Sequence, residues 1–217
     1  VARLSNHTPV TLPIHVLHGS RPGPTMFISA AIHGDELNGV EIIRRVLHTL
    51  QPGNINGTLL CVPVVNAFGF IGRSRYLPDR RDLNRSFPGS DHGSLASLLA
   101  DLFMKEVVRR SQYGIDLHTA ALHRTNLPQI RIAPDDPELL KMAKLFAPPV
   151  ILVSKLRDGT LRQCARDKGV KVLLYEAGEA LRFDEAAIET GLHGILRVMT
   201  SLKMIALAPH SETNHQT

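Results

Sequence analysis

His33 and Glu36 stand three residues apart where an apolar run, residues 26–32, gives way to a helical pattern beyond Glu36. A strand ending in His-x-x-Glu delivers an imidazole and a carboxylate from one turn, close enough to share a divalent metal. Alone the pair says little, because an acid is also favoured in the first turn of a helix. Two more apolar runs are interrupted in the same way: YGIDLHT (113–119) by His118 and VKVLLYEAG (170–178) by Glu176. In open α/β sheets, ligands bind beyond the carboxyl ends of the strands, so these side chains are expected to gather there. His33, Glu36 and His118 form a set of two imidazoles and one carboxylate, the third ligand distant in sequence. That set suits one catalytic zinc ion with its fourth position open to water or substrate. Magnesium and calcium prefer all-oxygen shells.

Asp116 lies two residues before His118 on the same strand and faces the same side. It is therefore placed to orient the imidazole of a ligand, with a strand-end cap as the competing role. Glu176 closes a buried run, where a lone carboxylate is costly unless it is paired or employed. Beside zinc it can take a proton from the attacking water and return it to a leaving amine. Glu179 follows Gly178 and is expected to be solvated. Asn84 and Arg85 set an amide beside a planar guanidinium, which suits a bidentate grip on a carboxylate. Arg75 can polarise a scissile carbonyl or hold a second acid group. Arg80 and Arg81 are read as surface charges, and His15, His48, His92, His123 and His193 as surface residues.

The elements that must position these groups alternate. Residues 10–18 read as a strand, and 18–24 as the turn of an N-terminal hairpin with the strand at 26–32. A helix over 38–50 places Val40, Ile43, Val46, Leu47 and Leu50 on one face, ended by Pro52 and Gly53. Residues 58–66 form a strand in which Pro63 implies an edge or a bulge. The long irregular segment 67–92 carries Arg73, Arg75, Arg80, Arg81 and Arg85, and long loops in compact domains are usually functional. A helix over 94–110 and the 113–119 strand follow. A strand at 127–133, an Asp-capped helix starting with DPELLKMAKLF, a strand at 150–154 and a helix closed by Gly169 lead to the 170–178 strand and a last helix over 184–203. Strands alternating with helices imply an α/β domain, with a largely parallel or mixed sheet covered on both faces. One catalytic domain over residues 1–207 and a polar, disordered tail over 208–217 are expected.

Composition narrows the classes. The 217 residues are 43% hydrophobic and 21% charged, enough for one domain with a buried core. No apolar run approaches the ~20 residues of a membrane span, and no basic-then-apolar leader opens the sequence, so a cytoplasmic protein without a membrane partner is expected. Cys61 and Cys164 sit far apart in apolar or helical patterns and read as buried free thiols. The net charge of +5 could suggest nucleic acid, but only 5% of residues are aromatic and the arginines cluster in a loop. That distribution fits a pocket for a small anion, not a nucleic-acid surface.

Four ordered motifs, HGDE (33–36), DLNRSFPG (82–89), DLH (116–118) and YEAG (175–178), resemble the succinylglutamate desuccinylase/aspartoacylase family of zinc-dependent deacylases, relatives of the zinc carboxypeptidases. The resemblance runs from about Phe27 to the last helix. It implies a three-layer α/β/α carboxypeptidase-like fold, with zinc on His33, Glu36 and His118. Glu176 matches the family's catalytic Glu, Asn84 and Arg85 its substrate-carboxylate binders, and Arg75 its carbonyl-polarising Arg, at a spacing to DLNR unlike that of the aspartoacylase branch. Arg162 matches a further substrate Arg. Members usually carry a β-rich C-terminal domain that narrows the pocket. This sequence ends before one, so a truncated form or a more open pocket is expected. The implied activity is hydrolysis of the amide of an N-acyl amino acid or a similar small amide bearing a carboxylate. The rival readings are a zinc carboxypeptidase acting on peptides and a catalytically silent zinc- and carboxylate-binding module; homo-oligomerisation is left open.

Overall fold

The structure is a computed structural model that describes residues 2–3 and 9–206; the expected tail over 208–217 lies outside the described residues. Two short strands, β1 (Ala2–Arg3) and β2 (Pro9–Val10), pair antiparallel in a small separate sheet. The main sheet is built from β3 (His15–His18), β4 (Arg21–Ala30), β5 (Asn56–Val62), β6 (Tyr113–Ala120), β7 (Asn126–Ile132), β8 (Val150–Val153) and β9 (Lys171–Glu179). They lie side by side in the order β3-β5-β4-β6-β9-β7-β8. The four central strands β5, β4, β6 and β9 are parallel; β3 pairs antiparallel with β5, and β7 antiparallel with β9. The sheet is therefore mixed, as expected.

The helices are α1 (Asn38–Thr49), α2 (Ala67–Ile71), α3 (Leu95–Glu106), α4 (Pro137–Phe146), α5 (Leu161–Arg166) and α6 (Glu185–Ser201). Most begin at a side-chain cap that satisfies a free backbone N–H: Ser94 for α3, Asp136 for α4, Thr160 for α5 and Asp184 for α6. Because both faces of the sheet are covered, its central strands read as apolar runs without alternation. Alternation survives in which face each residue serves. Met26, Ile28 and Ala30 of β4, Ile115 and Leu117 of β6, and Leu173 and Tyr175 of β9 join one core with residues of α1, α4 and α6. Phe27 of β4, Leu60 and Val62 of β5 and Val172 of β9 join the opposite core with Phe103 of α3 and Leu161 of α5. Each such fully buried aliphatic or aromatic side chain contributes about 1.5–3 kcal/mol.

Three sequence expectations change. The N-terminal hairpin does not form, because β5 inserts between β3 and β4. The 58–66 strand stops at Val62, so Pro63 lies beyond it and removes no ladder hydrogen bond. The 67–92 segment contains α2 and a tight turn of 3-10 helix over Leu83–Arg85. Among the described residues, no helix is long and apolar enough to cross a membrane.

Candidate active site

The site starts where β4 runs out. Ala31 adopts a left-handed conformation (φ 50°), which turns the chain off the sheet, and the Glu36 N–H closes a tight turn on the His33 carbonyl at 3.1 Å. Glu36 thus belongs to a turn ahead of α1, not to the helix's first turn. Gly34 is required here, because a Cβ on it would lie 1.9 Å from the backbone of Gly69. The neighbouring strand β6 supplies Asp116 and His118 on the face opposite Ile115 and Leu117.

His33, Glu36 and His118 come together, with ligand atoms within 4.8 Å of one another. They are 4%, 2% and 4% exposed. The Nδ1 of His33 lies 2.7 Å from Glu36 Oε1, and the Nδ1 of His118 lies 2.7 Å from Glu36 Oε2. Each imidazole is oriented from behind: His118 Nε2 lies 2.7 Å from Asp116 Oδ2, and His33 Nε2 lies 3.2 Å from Asp82 Oδ1. Asp116 is itself held by the Ser29 hydroxyl, which donates to Oδ1 at 2.7 Å. Two nitrogen atoms facing one carboxylate, with both rings fixed through their far nitrogens, fit a divalent ion of zinc's preferences.

Charge pairing dominates the electrostatics of this cluster. Burial pushes the Glu36 carboxyl up, yet His118 and His33 outweigh it and hold it down to about 2. Burial pushes both imidazoles down, but Glu36 with Asp82 raises His33, and Asp116 with Glu36 raises His118 well above the usual histidine range.

The cluster opens into a cleft of about 620 Å³ that is also lined by Arg75, Asn84, Arg85, Arg162 and Glu176. Every residue singled out from the sequence as a candidate ligand, base or substrate binder therefore borders one cleft, with Asp116 behind His118. Arg75 reaches Asp82 (Nη2 to Oδ2, 3.0 Å) and lies 3.5 Å from Glu36 Oε1. Asn84 is fixed because its Oδ1 accepts the Leu161 N–H at 3.0 Å, at the start of α5, which leaves its amide nitrogen uncommitted to that bond. Arg162 is half-buried, and burial followed by the charge of Arg131 pushes its guanidinium pKa down. Its Nη1 is buried without a hydrogen-bond partner.

Glu176 is not the end of its strand, since β9 runs on to Glu179. Its side chain is 16% exposed and paired with Asn126 and Arg131 of β7. Glu179, expected to be solvated, is instead 13% exposed; it accepts the His123 N–H at 2.7 Å and pairs with Arg182. Arg80, Arg81, His15, His48, His92 and His123 are exposed and His193 is partly so, while both cysteines are buried and free.

Sequence reasoning passed over Asp82, Ser29, Asn126 and Arg131. Asp82 was visible inside DLNR, and Arg131 is a charge breaking an apolar strand, the signal that drew attention to His118 and Glu176. Asn126 and Ser29 had no signal, because their roles depend on strands paired far away in sequence.

The fold and the cluster define an α/β protein with a candidate ion-binding centre at the carboxyl edge of its parallel strands. The profile of the Succinylglutamate desuccinylase/Aspartoacylase catalytic domain matches residues 22–202. An N-alpha-acetyl-L-2,4-diaminobutyric acid deacetylase from Halomonas elongata is 30% identical over 172 residues, covering 76% of this chain and 50% of that protein. A crystal structure of a succinylglutamate desuccinylase/aspartoacylase from Rhodobacter sphaeroides superposes with a TM-score of 0.85 at 29% identity, over 92% of this chain and 62% of the other. The product-bound ectoine utilization protein EutE (DoeB) from Ruegeria pomeroyi shares the fold, with a TM-score of 0.88 at 22% identity over 95% of this chain and 66% of its own. The chain belongs to the succinylglutamate desuccinylase/aspartoacylase family, and it spans about half the length of the curated relative it matches.

Proposed function

We propose that this protein is a zinc-dependent amidohydrolase that removes the acyl group from an N-acyl amino acid or a similar small amide bearing a carboxylate. The observation that carries the reading is the convergence of His33, Glu36 and His118 with Glu176, Asn84 and Arg85 on one cleft. Family membership and the deacetylase relative support the amide bond as the target.

In this reading His33 and His118, through Nδ1, and Glu36 hold the ion. When bound, zinc supplies Lewis acidity to the amide carbonyl and the attacking water. Glu176 accepts the proton of that water and passes it to the nitrogen of the leaving amine. Arg75, beside Glu36, offers its guanidinium to the oxyanion. Asn84 and Arg85 grip the substrate carboxylate, and Arg162 supplies a further cation to the substrate. Asp82 and Asp116 keep the two imidazoles in the orientation that presents Nδ1.

The test is release of free amine from N-acyl amino acids, with acyl groups from acetyl to succinyl, by zinc-loaded protein. Release that is lost on chelation and in Glu176→Gln supports the reading. Full activity in Glu176→Gln removes the assigned base, and release from peptides alone moves the protein to the carboxypeptidases.

A further inference from the structure

Glu176 does not stand free in the cleft. Asn126 Nδ2 donates to its Oε2 at 2.5 Å, and Arg131 Nη2 lies 3.1 Å from the same oxygen. Both donors come from β7, an antiparallel neighbour that carries none of the candidate metal ligands. Register explains how they arrive. Gln129 pairs with Glu176 and Arg131 with Leu174, so Arg131 is the diagonal neighbour of Glu176 on one face, within reach of a long side chain.

Asn126 should point the other way, since it is an odd number of residues from Gln129. The ladder, however, shifts between Asn126 and Gln129: three steps along β7 match two along β9, and Asn126 pairs with Gly178. This one-residue bulge turns Asn126 onto the face of Glu176. Gly178 gives the opposing strand its own turn there, with φ at 73°. A bulge and a diagonal pair, two separate features of one strand, thus converge on a single carboxylate oxygen. Arg131 keeps this placement although its Nε is buried without a hydrogen-bond partner. Arg162 adds a second positive charge nearby, acting on Glu176 without a hydrogen bond to it.

We infer that Arg131 and Asn126 are positioning residues for Glu176: they tether Oε2 so that Oε1 alone faces the reacting water and the leaving amine. This rests on Glu176 being the proton carrier proposed above. A glutamate carboxylate, carried on three rotatable bonds, loses most of its value as a base when it swings away from near-attack geometry. Untethering it therefore lowers turnover and leaves substrate affinity alone.

The experiment compares Arg131→Met, Arg131→Lys and Asn126→Ala with the parent protein, each zinc-loaded and each checked for zinc content and melting temperature. The expected result is a fall in kcat of roughly 10- to 100-fold for Arg131→Met, with KM changed by less than about threefold, partial recovery in Arg131→Lys, and a smaller kcat loss in Asn126→Ala. A rise in KM at constant kcat would make Arg131 a substrate binder and overturn the inference, as would unchanged kinetics. Crystal structures of the parent and Arg131→Met proteins provide an arm that needs no substrate, so an inactive parent protein counts against the proposed function alone. There, a Glu176 carboxylate displaced in the variant supports the tether, and one that has not moved overturns it.

Discussion

At the scale of single residues, the candidate site is a set of carboxylates, each with an assigned partner. Glu36 bridges two imidazoles, Asp116 and Asp82 back them, and Glu176 is held by Asn126 and Arg131. Both groups that hold Glu176 come from β7 and neither touches a candidate metal ligand, which suits a carboxylate left to move protons. Glu176→Gln keeps shape and hydrogen-bonding capacity but removes the basic oxygen. Its turnover of an N-acyl amino acid is expected to fall by roughly 100- to 10,000-fold, with zinc content unchanged by metal analysis. Proportionate loss of zinc would instead put Glu176 among the ligands.

At the scale of elements, the question is what keeps the turn carrying His33 and Glu36 in register with the strand carrying Glu176. Asn38, at the start of α1 and 1% exposed, donates through Nδ2 to the Ala177 carbonyl at 3.1 Å. Its Oδ1 accepts the Asp184 N–H at 3.0 Å, so one side chain joins α1, β9 and the entry to α6. Asn38→Ala leaves two backbone groups without this partner. We expect a loss of roughly 1–3 kcal/mol for each group that stays buried and unpaired, read as a lower midpoint in urea at unchanged slope. A midpoint equal to that of the parent would show that water replaces the asparagine.

At the scale of the whole molecule, two linkages are measurable. Because the three candidate ligands come from a turn and a strand brought together by folding, the unfolded chain lacks the assembled site. Zinc should therefore stabilise the folded protein, by about 4 kcal/mol at a free concentration 1,000 times the dissociation constant. Calorimetry should show a higher melting temperature with zinc, and no such rise in His118→Asn. The second linkage is to pH. Hydrogen bonds from Arg44, against the opposing effect of burial and together with one from Arg45, hold the Glu41 carboxyl down to about 2 from its ordinary 4.5. A depressed carboxyl contributes stability at pH values above its unfolded pKa and loses it as pH falls through the folded one. Glu41→Gln should therefore be less stable than the parent at pH 7, with the gap closing between about pH 4.5 and 2 and narrowing in high salt. A gap independent of pH would mean that packing of the side chain, not its charge, is what the helix uses.

How much was legible follows from the range of the interactions. Apolar runs, caps and the residues that interrupt the runs are local signals. They were enough for the α/β class, for most of the elements and for singling out His33, Glu36, His118 and Glu176 as candidates, since a polar group that interrupts a buried run is costly unless it has a task. Strand order was not local: β5 displaced the expected hairpin, and Glu179, expected to be solvated, is half-buried and accepts the N–H of His123 from the loop after β6. The tether on Glu176 was the least legible feature. Asn126 and Glu176 are 50 residues apart, and a one-residue bulge decides which face Asn126 presents. The sequence by itself determined which side chains were available for chemistry, through burial and periodicity. The tertiary structure alone decided which of them meet, because pairing and register depend on the whole sheet closing at once.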